Sequence, residues 1–469
     1  MEGIKGLFKG RSRVMRVFSN ELLRSPQRMI LLSFLAVISI GTLLLMQPFA
    51  TVSGQPLNFV DALFTATSAT CVTGLTVNNV AIDFSNQGQW ILLVLIQIGG
   101  LGIMTFSTFF MTLFVGRISV AGKEVLIDSF SQNPVLELGK LIKIIFTFTV
   151  VLEVAGWLML SLIFFKDFPL DEALYQGLFH SISSYCNAGF SILDGGYLNY
   201  SANWYLNVVS MLLIIAGGIG FMVIFDFNAQ LSHARSGFFK RLSLHSKIVI
   251  ITTIVLILLG SLLFFGLEFN NSMKGLTIDD QILTSFFQSV TTRTAGFNTI
   301  GIDLLSQPTL FILIIFMFIG SSPGSCGGGI KTTTFMLFIQ FLKRQFSNNK
   351  DINIWNRRIP EATLTRAVAI VFFAIFTVSF FLILLLITET HINPGNNQFN
   401  FDQILFEVVS AFGTVGLSTG ITPSLSMPGK VLITILMFIG RLGPLTLVFA
   451  LKSKSESGFR YMQEDILVG

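Results

Sequence analysis

The chain alternates between long apolar runs and polar connections. A helix rises about 1.5 Å per residue, so about 20 apolar residues cross a bilayer core. Eight runs reach that length, near residues 29–47, 89–115, 141–165, 204–225, 247–267, 309–342, 364–388 and 430–451. The first has too long an apolar part for a cleavable signal, and no small-residue cleavage site follows within it. Four connections each hold a second, shorter apolar stretch, at 59–69, 172–185, 279–291 and 401–411. Stretches of this length do not span and are re-entrant or interfacial. The pattern predicts an all-α integral membrane protein.

The four short stretches share one local order. Phe64, Phe179, Phe287 and Phe406 precede Gly74, Gly189, Gly296 and Gly416 by ten, ten, nine and ten residues. A hydroxyl residue follows each Phe by four: Ser68, Ser183, Thr291 and Ser410. Two stretches share the tetrapeptide Asp-Gln-Ile-Leu, at 280–283 and 402–405. The glycines stand 115, 107 and 120 residues apart. A near-fixed period with the same internal order is one unit used four times. The unit is span, short helix, glycine-bearing segment, span. It divides the chain into a tail at 1–28, repeats at 29–115, 116–232, 233–345 and 346–455, and a tail at 456–469.

Composition agrees. Of 469 residues, 52% are apolar and 12% charged, and mean hydropathy is +0.74. A soluble domain carries about 25% charge, so this chain lacks the polar surface for a water-facing body of its size. A net charge of +5 gives nucleic-acid binding no support. The placement of charge is more informative. Of 30 Lys and Arg, 24 fall on one side: before the first run, around 117–143, 235–247 and 343–366, and after 451. The other side has Lys166, Lys274, Arg293 and Lys430, while Lys331 and Arg441 sit inside apolar runs. The positive-inside rule puts both termini in the cytoplasm and the four short stretches on the outer side.

Each short stretch opens on an acidic residue, Asp61, Glu172, Asp280 or Asp402. Acids favour a helix N-terminus, so each stretch starts at the outer surface and its C-terminal end dips inward. That end carries partial negative charge and favours a cation. The chain then passes through Val72-Thr73-Gly74-Leu75, Asn187-Ala188-Gly189-Phe190, Thr294-Ala295-Gly296-Phe297 or Thr414-Val415-Gly416-Leu417. Non-helical backbone at membrane depth survives only buried in protein or lining a watery path. Four such segments around one axis make a ring of inward carbonyls. The tetrapeptides contain no carboxylate, which leaves backbone carbonyls replacing a hydration shell as the means of selecting a cation, an arrangement suited to potassium.

These residues resemble the Trk/Ktr/HKT superfamily of potassium transporters, and most of all its Ktr-type membrane subunit. The segments Thr70–Leu75, Cys186–Phe190, Thr292–Phe297 and Thr414–Ser418 carry the resemblance, which extends from about residue 25 to 455. Larger Trk-type subunits have an extra helical pair before the first repeat that this chain lacks. The resemblance implies potassium uptake through one pore per chain, a homodimer in membrane lipid, and a cytosolic nucleotide-binding regulatory ring on a separate chain. It implies sodium stimulation, and no cofactor within this chain.

The run 309–342 is 34 residues long, about 50 Å as one helix, against a core of about 30 Å. Its middle holds one proline and five glycines, Gly320, Gly324, Gly327, Gly328 and Gly329, before Lys331. This composition predicts an intramembrane loop at 320–331 on the cytoplasmic side of the glycine ring. A phosphate-loop reading fails, because Ile330 separates Gly329 from Lys331 and no strand precedes. Gly320 and Gly440 each follow their tetrapeptide glycine by 24 residues, which aligns Arg441 with the start of the loop. A charge at this depth faces the interior or a watery cavity. Loop and arginine are therefore expected to form a gate, as family members also imply. Glu153 is the other mid-span charge and has no evident partner. Cys71, Cys186 and Cys326, and the four histidines, form no metal-ligating pattern.

A potassium-conducting subunit is the leading expectation. A coupled secondary transporter with broken helices is the alternative, though such carriers usually have two repeats. An intramembrane enzyme would need convergent acid, base, nucleophile or metal groups, and the spans supply one glutamate, one arginine and no histidine pair.

Overall fold

The computed structural model describes residues 26–102, 138–231, 238–346, 351–392 and 399–443. Fourteen helices organise them: α1 (Pro26–Leu45), α2 (Phe59–Thr70), α3 (Asn86–Gly100), α4 (Leu138–Phe164), α5 (Leu170–Tyr185), α6 (Trp204–Gly218), α7 (Phe221–Leu231), α8 (Leu244–Glu268), α9 (Ile278–Thr291), α10 (Gln307–Phe318), α11 (Thr332–Gln345), α12 (Glu361–Ile392), α13 (Phe401–Gly413) and α14 (Met427–Leu442). Residues 1–25 of the first predicted tail, the whole second tail, and residues 103–115 and 444–451 of two predicted spans lie outside the described residues. The last three residues of the first tail, 26–28, already belong to α1.

Four helices are long and apolar enough to cross a membrane unbroken: α1, α4, α8 and α12. Their exposed faces are hydrophobic, with Ile40 and Leu43 on α1, Val151 and Leu162 on α4, Leu258 and Leu262 on α8, and Phe372 and Phe376 on α12. Apolar faces of this extent are stable against lipid, not water. The four helices form an outer layer, and the short helices α2, α5, α9 and α13 lie inside it. Each short helix begins as its sequence predicts. Asn58 and Thr277 accept hydrogen bonds from the first-turn backbone, Asn400 N–H donates to Gln403 Oε1 at 3.0 Å, and acids occupy every first turn. Caps and acids both satisfy helix N–H groups that have no intrahelical partner.

Two apolar clusters fill the interior. One joins the first two units and part of the third, around Phe179, Tyr185 and Tyr197. The other joins the third and fourth units with Phe64 and Leu75 of the first, around Phe406, Phe412 and Met437. In these later units a carboxylate closing the long helix caps the N-terminus of the next membrane helix. Glu268 accepts from Ser306 N–H at 3.0 Å and Ser306 Oγ at 2.7 Å, and Glu389 accepts from Ser426 Oγ at 2.6 Å. The two ends of the chain are joined by Lys430, which pairs with Asp61 at 2.9 Å.

The sixth predicted span is broken: α10 stops at Phe318 and α11 starts at Thr332. The fourth, expected as one helix over 204–225, is broken as well. Helices α6 and α7 meet at 94°. Gly220 supplies the turn with φ of +94°, and the N–H of Phe221 donates to Gly324 O at 2.8 Å. The second break therefore rests on the loop of the first. Between α11 and α12 a two-stranded hairpin, β1 (Asn353–Ile354) and β2 (Arg357–Arg358), turns through Trp355 and Asn356, both left-handed. That pair of conformations matches the turn favoured by two-residue hairpin loops.

Candidate functional site

The structure brings the four glycine tetrapeptides together at the centre. In each, the first and third residues are left-handed. The first residues are Val72, Asn187, Thr294 and Thr414, with φ of 56°, 57°, 77° and 50°. The glycines follow at 93°, 70°, 80° and 93°. A non-glycine residue in this region is uncommon, and for a β-branched one it is an outlier. Such strain costs about 1–3 kcal/mol and persists only where its surroundings over-determine it.

The surroundings that fix this backbone recur in every unit. The hydroxyl residue four after each Phe accepts, through its own carbonyl, the N–H of the residue before the glycine. Thr73 donates to Ser68 O and Ala188 to Ser183 O, both at 2.8 Å. Ala295 donates to Thr291 O and Val415 to Ser410 O, both at 2.9 Å. The side chains add a second tie. Ser68 and Ser410 accept from the glycine N–H, both at 3.1 Å. Ser183 and Thr291 instead donate to the carbonyl after the glycine, at 2.7 and 2.6 Å.

The glycines close a ring. A Cβ on Gly74 would lie 2.5 Å from Ala188 O, one on Gly189 would lie 2.6 Å from Ala295 O, and one on Gly296 would lie 2.6 Å from Val415 O. One on Gly416 would overlap Thr73 O, which returns the circuit to the first unit. Each glycine is thus required twice, for its φ and for the neighbouring carbonyl. The fourth residues, Leu75, Phe190, Phe297 and Leu417, turn their buried side chains away into the apolar clusters, and Phe297 stacks on Tyr197 at 4.6 Å. The hydroxyl oxygens of Thr70 and Thr73 have no partner among the described residues.

The loop between α10 and α11 packs against this ring. A Cβ on Gly327 would overlap Thr294 Oγ1, and Gly328 N–H donates to Thr414 Oγ1 at 2.8 Å. Gly329 takes a φ of +66° beside Gly413, and Gly320 sits under the carbonyl of Gly328. Gly324 also takes a φ of +66°, and its carbonyl caps α7. Two cations bind three successive loop carbonyls. Lys331 Nζ donates to Gly327 O at 2.6 Å and more weakly to Gly328 O at 3.4 Å. Arg441 donates to Cys326 O and also to Gly99 O at the end of α3. All the singled-out loop residues and Arg441 therefore meet in one place.

Several partners lie beyond what spacing revealed. Glu153 is held by Gln97 Nε2 at 3.0 Å, and its own carbonyl accepts from Ser181 Oγ. Arg293, expected on the outer side, is buried behind the third segment and donates to Thr253 Oγ1 at 3.3 Å. Gly99, Gly217 and Gly440 press against the carbonyls of Thr70, Tyr185 and Phe412, at the C-terminal ends of α2, α5 and α13. Their common signal is a glycine 25, 28 or 24 residues after the tetrapeptide glycine. Cys71, Cys186 and Cys326 are buried and unbridged.

Known proteins are similar to this chain over most of its length. A family model described as "TrkH: Cation transport protein" matches residues 20–461. The Ktr system potassium uptake protein B of Bacillus subtilis is 36% identical over 447 residues, covering 95% of this chain and 97% of that one. The protein of the same name from Vibrio alginolyticus is 38% identical, covering 94% of each chain. The potassium/sodium uptake protein NtpJ of Enterococcus hirae is 37% identical, covering 95% and 97%. Among solved structures, the potassium transporter TrkH of Vibrio parahaemolyticus has the same fold, with a TM-score of 0.70 at 17% identity over 89% of this chain and 84% of that one. A ring of four strained glycine segments inside a layer of lipid-facing helices thus has a family as well as a geometry: this chain belongs to the TrkH family of membrane cation transport proteins.

Proposed function

We propose that this chain takes up potassium through a single channel-like pore whose selectivity filter is the ring of Val72–Leu75, Asn187–Phe190, Thr294–Phe297 and Thr414–Leu417. The observation that carries the proposal is the closed circuit of glycines and carbonyls. The four short helices are pore helices, and the four units are repeats with the boundaries given above. Their C-terminal ends converge on the ring and favour a cation there. Carbonyl oxygens replace the ion's hydration shell, and no carboxylate in the tetrapeptides competes with them. Basic segments lie on the cytoplasmic side with both termini, so the loop lies beneath the filter.

Loop 320–331 and Arg441 obstruct the pore as a gate. Movement of the loop opens it under the control of a cytosolic nucleotide-binding ring, and the chain works as a homodimer. Sodium stimulates transport. Arg357 and Arg358, exposed on the hairpin, form part of the docking face. Reversing both charges weakens co-purification of the ring in a salt-sensitive way. Retention at every salt concentration rejects this face.

The test is rubidium flux into proteoliposomes holding the purified chain alone. Rubidium should enter down its own gradient, and potassium should compete better than sodium. The breaks in the fourth and sixth spans favour a second reading, a coupled carrier with a midplane site. Flux that requires the gradient of a second ion supports that reading and overturns the channel.

A further inference from the structure

The residue directly after the marker Phe is polar and fully or largely buried in all four short helices: Thr65, His180, Gln288 and Glu407. A buried polar group is costly unless it is hydrogen-bonded. The four differ in how they meet that cost, and the difference divides the ring into two diagonals.

In the fourth unit, Glu407 Oε1 accepts from Ser418 Oγ at 2.7 Å and from Thr422 Oγ1. Ser418 stands two residues after the ring glycine, and its oxygen accepts from Gly420 N–H at 2.9 Å. The second unit repeats this design with an imidazole. His180 Nδ1 lies 2.8 Å from Gln176 O, which only accepts, so Nδ1 carries the proton. Nε2 then accepts from Ser191 Oγ at 2.8 Å. Ser191 also stands two after its glycine, and it accepts from Leu193 N–H at 3.1 Å. Rings of Phe164, Phe179 and Tyr197 enclose the imidazole at 5.5–5.9 Å.

The other diagonal lacks the tie. Thr65 donates to Asp61 O in its own helix at 2.8 Å. Both polar atoms of Gln288 have no partner among the described residues. Asn298, two after Gly296, bonds Ile300 O instead.

We infer that Glu407 and His180 are positioning residues that brace two opposite walls of the ring from behind, through Ser418 and Ser191, and so set its discrimination between potassium and sodium. The inference rests on the filter reading above. A braced wall holds its carbonyls at the spacing of the larger ion and resists collapse onto the smaller one. Two braced walls facing each other fix one diameter, and the unbraced pair leaves the other compliant.

Sodium competition against rubidium uptake in proteoliposomes tests this. Glu407→Ala and Ser418→Ala should each strengthen sodium competition roughly fivefold, the factor that one ordinary hydrogen bond represents. The double variant should be no worse than Glu407→Ala, because Ser418→Ala removes one of the two bonds that Glu407→Ala already removes. Glu407→Gln keeps an acceptor oxygen and should match the parent. The pair His180→Ala and Ser191→Ala should behave alike. Ser418→Ala is the mildest change, so it decides the matter if Glu407→Ala does not fold. Unchanged competition in Ser418→Ala, additive losses, or a Glu407→Gln as impaired as alanine overturns the brace. Gly416→Ser in the same vesicles separates the two levels. If it alters competition and the brace variants do not, only the brace falls; if it also changes nothing, the filter reading falls.

Discussion

The ring and the loop packed against it are both irregular backbone buried among apolar helices, yet they are held in opposite ways. Each ring segment is tied mainly by its own unit: the hydroxyl residue of the short helix holds the tetrapeptide that follows it, as with Ser68 and Thr73–Gly74. The loop at 320–331 is tied largely by others. Its carbonyls are capped by Arg441 from the fourth unit and by the N-terminus of α7 in the second, and Thr414 receives Gly328 N–H. A segment held locally keeps its shape whatever its neighbours do. A segment held from a distance keeps its shape only while three units stay in register. The shape of the first is fixed locally, and the order of the second depends on the other units.

The largest effect should come from breaking the ring. Gly296→Ser adds a side chain at a φ of +80°, where the carbonyl of Val415 already lies. Sodium competition against uptake should strengthen about tenfold or more, the equivalent of ~1.4 kcal/mol. Unchanged competition would remove the ring from the selective step. Next comes Arg441→Ala, which frees the carbonyls of Cys326 and Gly99 together. Hydrogen bonds to a charged group are worth about 1.5–3 kcal/mol, so rubidium flux should rise several-fold while selectivity stays near the parent. Slower flux in folded protein would show that the arginine supports the pore instead of blocking it.

Lys331→Ala should act in the same direction but less, since one of its two bonds is long at 3.4 Å. A larger effect than that of Arg441→Ala would reverse the ranking of the two ties. The smallest effect belongs to Lys430→Ala. Its pair with Asp61 joins the first and fourth units at a half-buried position away from the ring, where water still partly screens the charges and such a bridge contributes about 1 kcal/mol. Thermal unfolding in detergent should fall slightly and sodium competition should not move. A loss of selectivity here would mean that the ring depends on distant ties after all.

Much of the ring was legible before any coordinates. Half-length apolar stretches, Phe–Gly spacing and the placed hydroxyls are local, and the ties they make span only four to seven residues. The break in the sixth span was legible for the same reason, since proline and five glycines forbid a helix through it. The break at Gly220 was not. Glycines in an apolar run are compatible with a packed helix, and the deciding partner, Gly324 O, lies over a hundred residues away. Glu153 and Gln97 are 56 residues apart, and Arg441 and Gly99 are 342 apart. The repeat alignment put Arg441 level with the loop, but nothing local named a second acceptor on α3. The burial of Arg293 was not legible either, since its partner Thr253 lies 40 residues away on α8.

All four walls of the ring come from one polypeptide, and this changes what a single codon can do. In a ring built from four identical chains a substitution appears four times, so every alteration is a symmetric one. Here each wall is addressed separately. Val72, Asn187, Thr294 and Thr414 occupy one structural position with three different side chains. Inheritance of this kind permits graded tuning, one quarter at a time. It also permits a division of labour: the third unit carries the loop and the fourth carries the arginine, with no copy of either imposed on the remaining quarters.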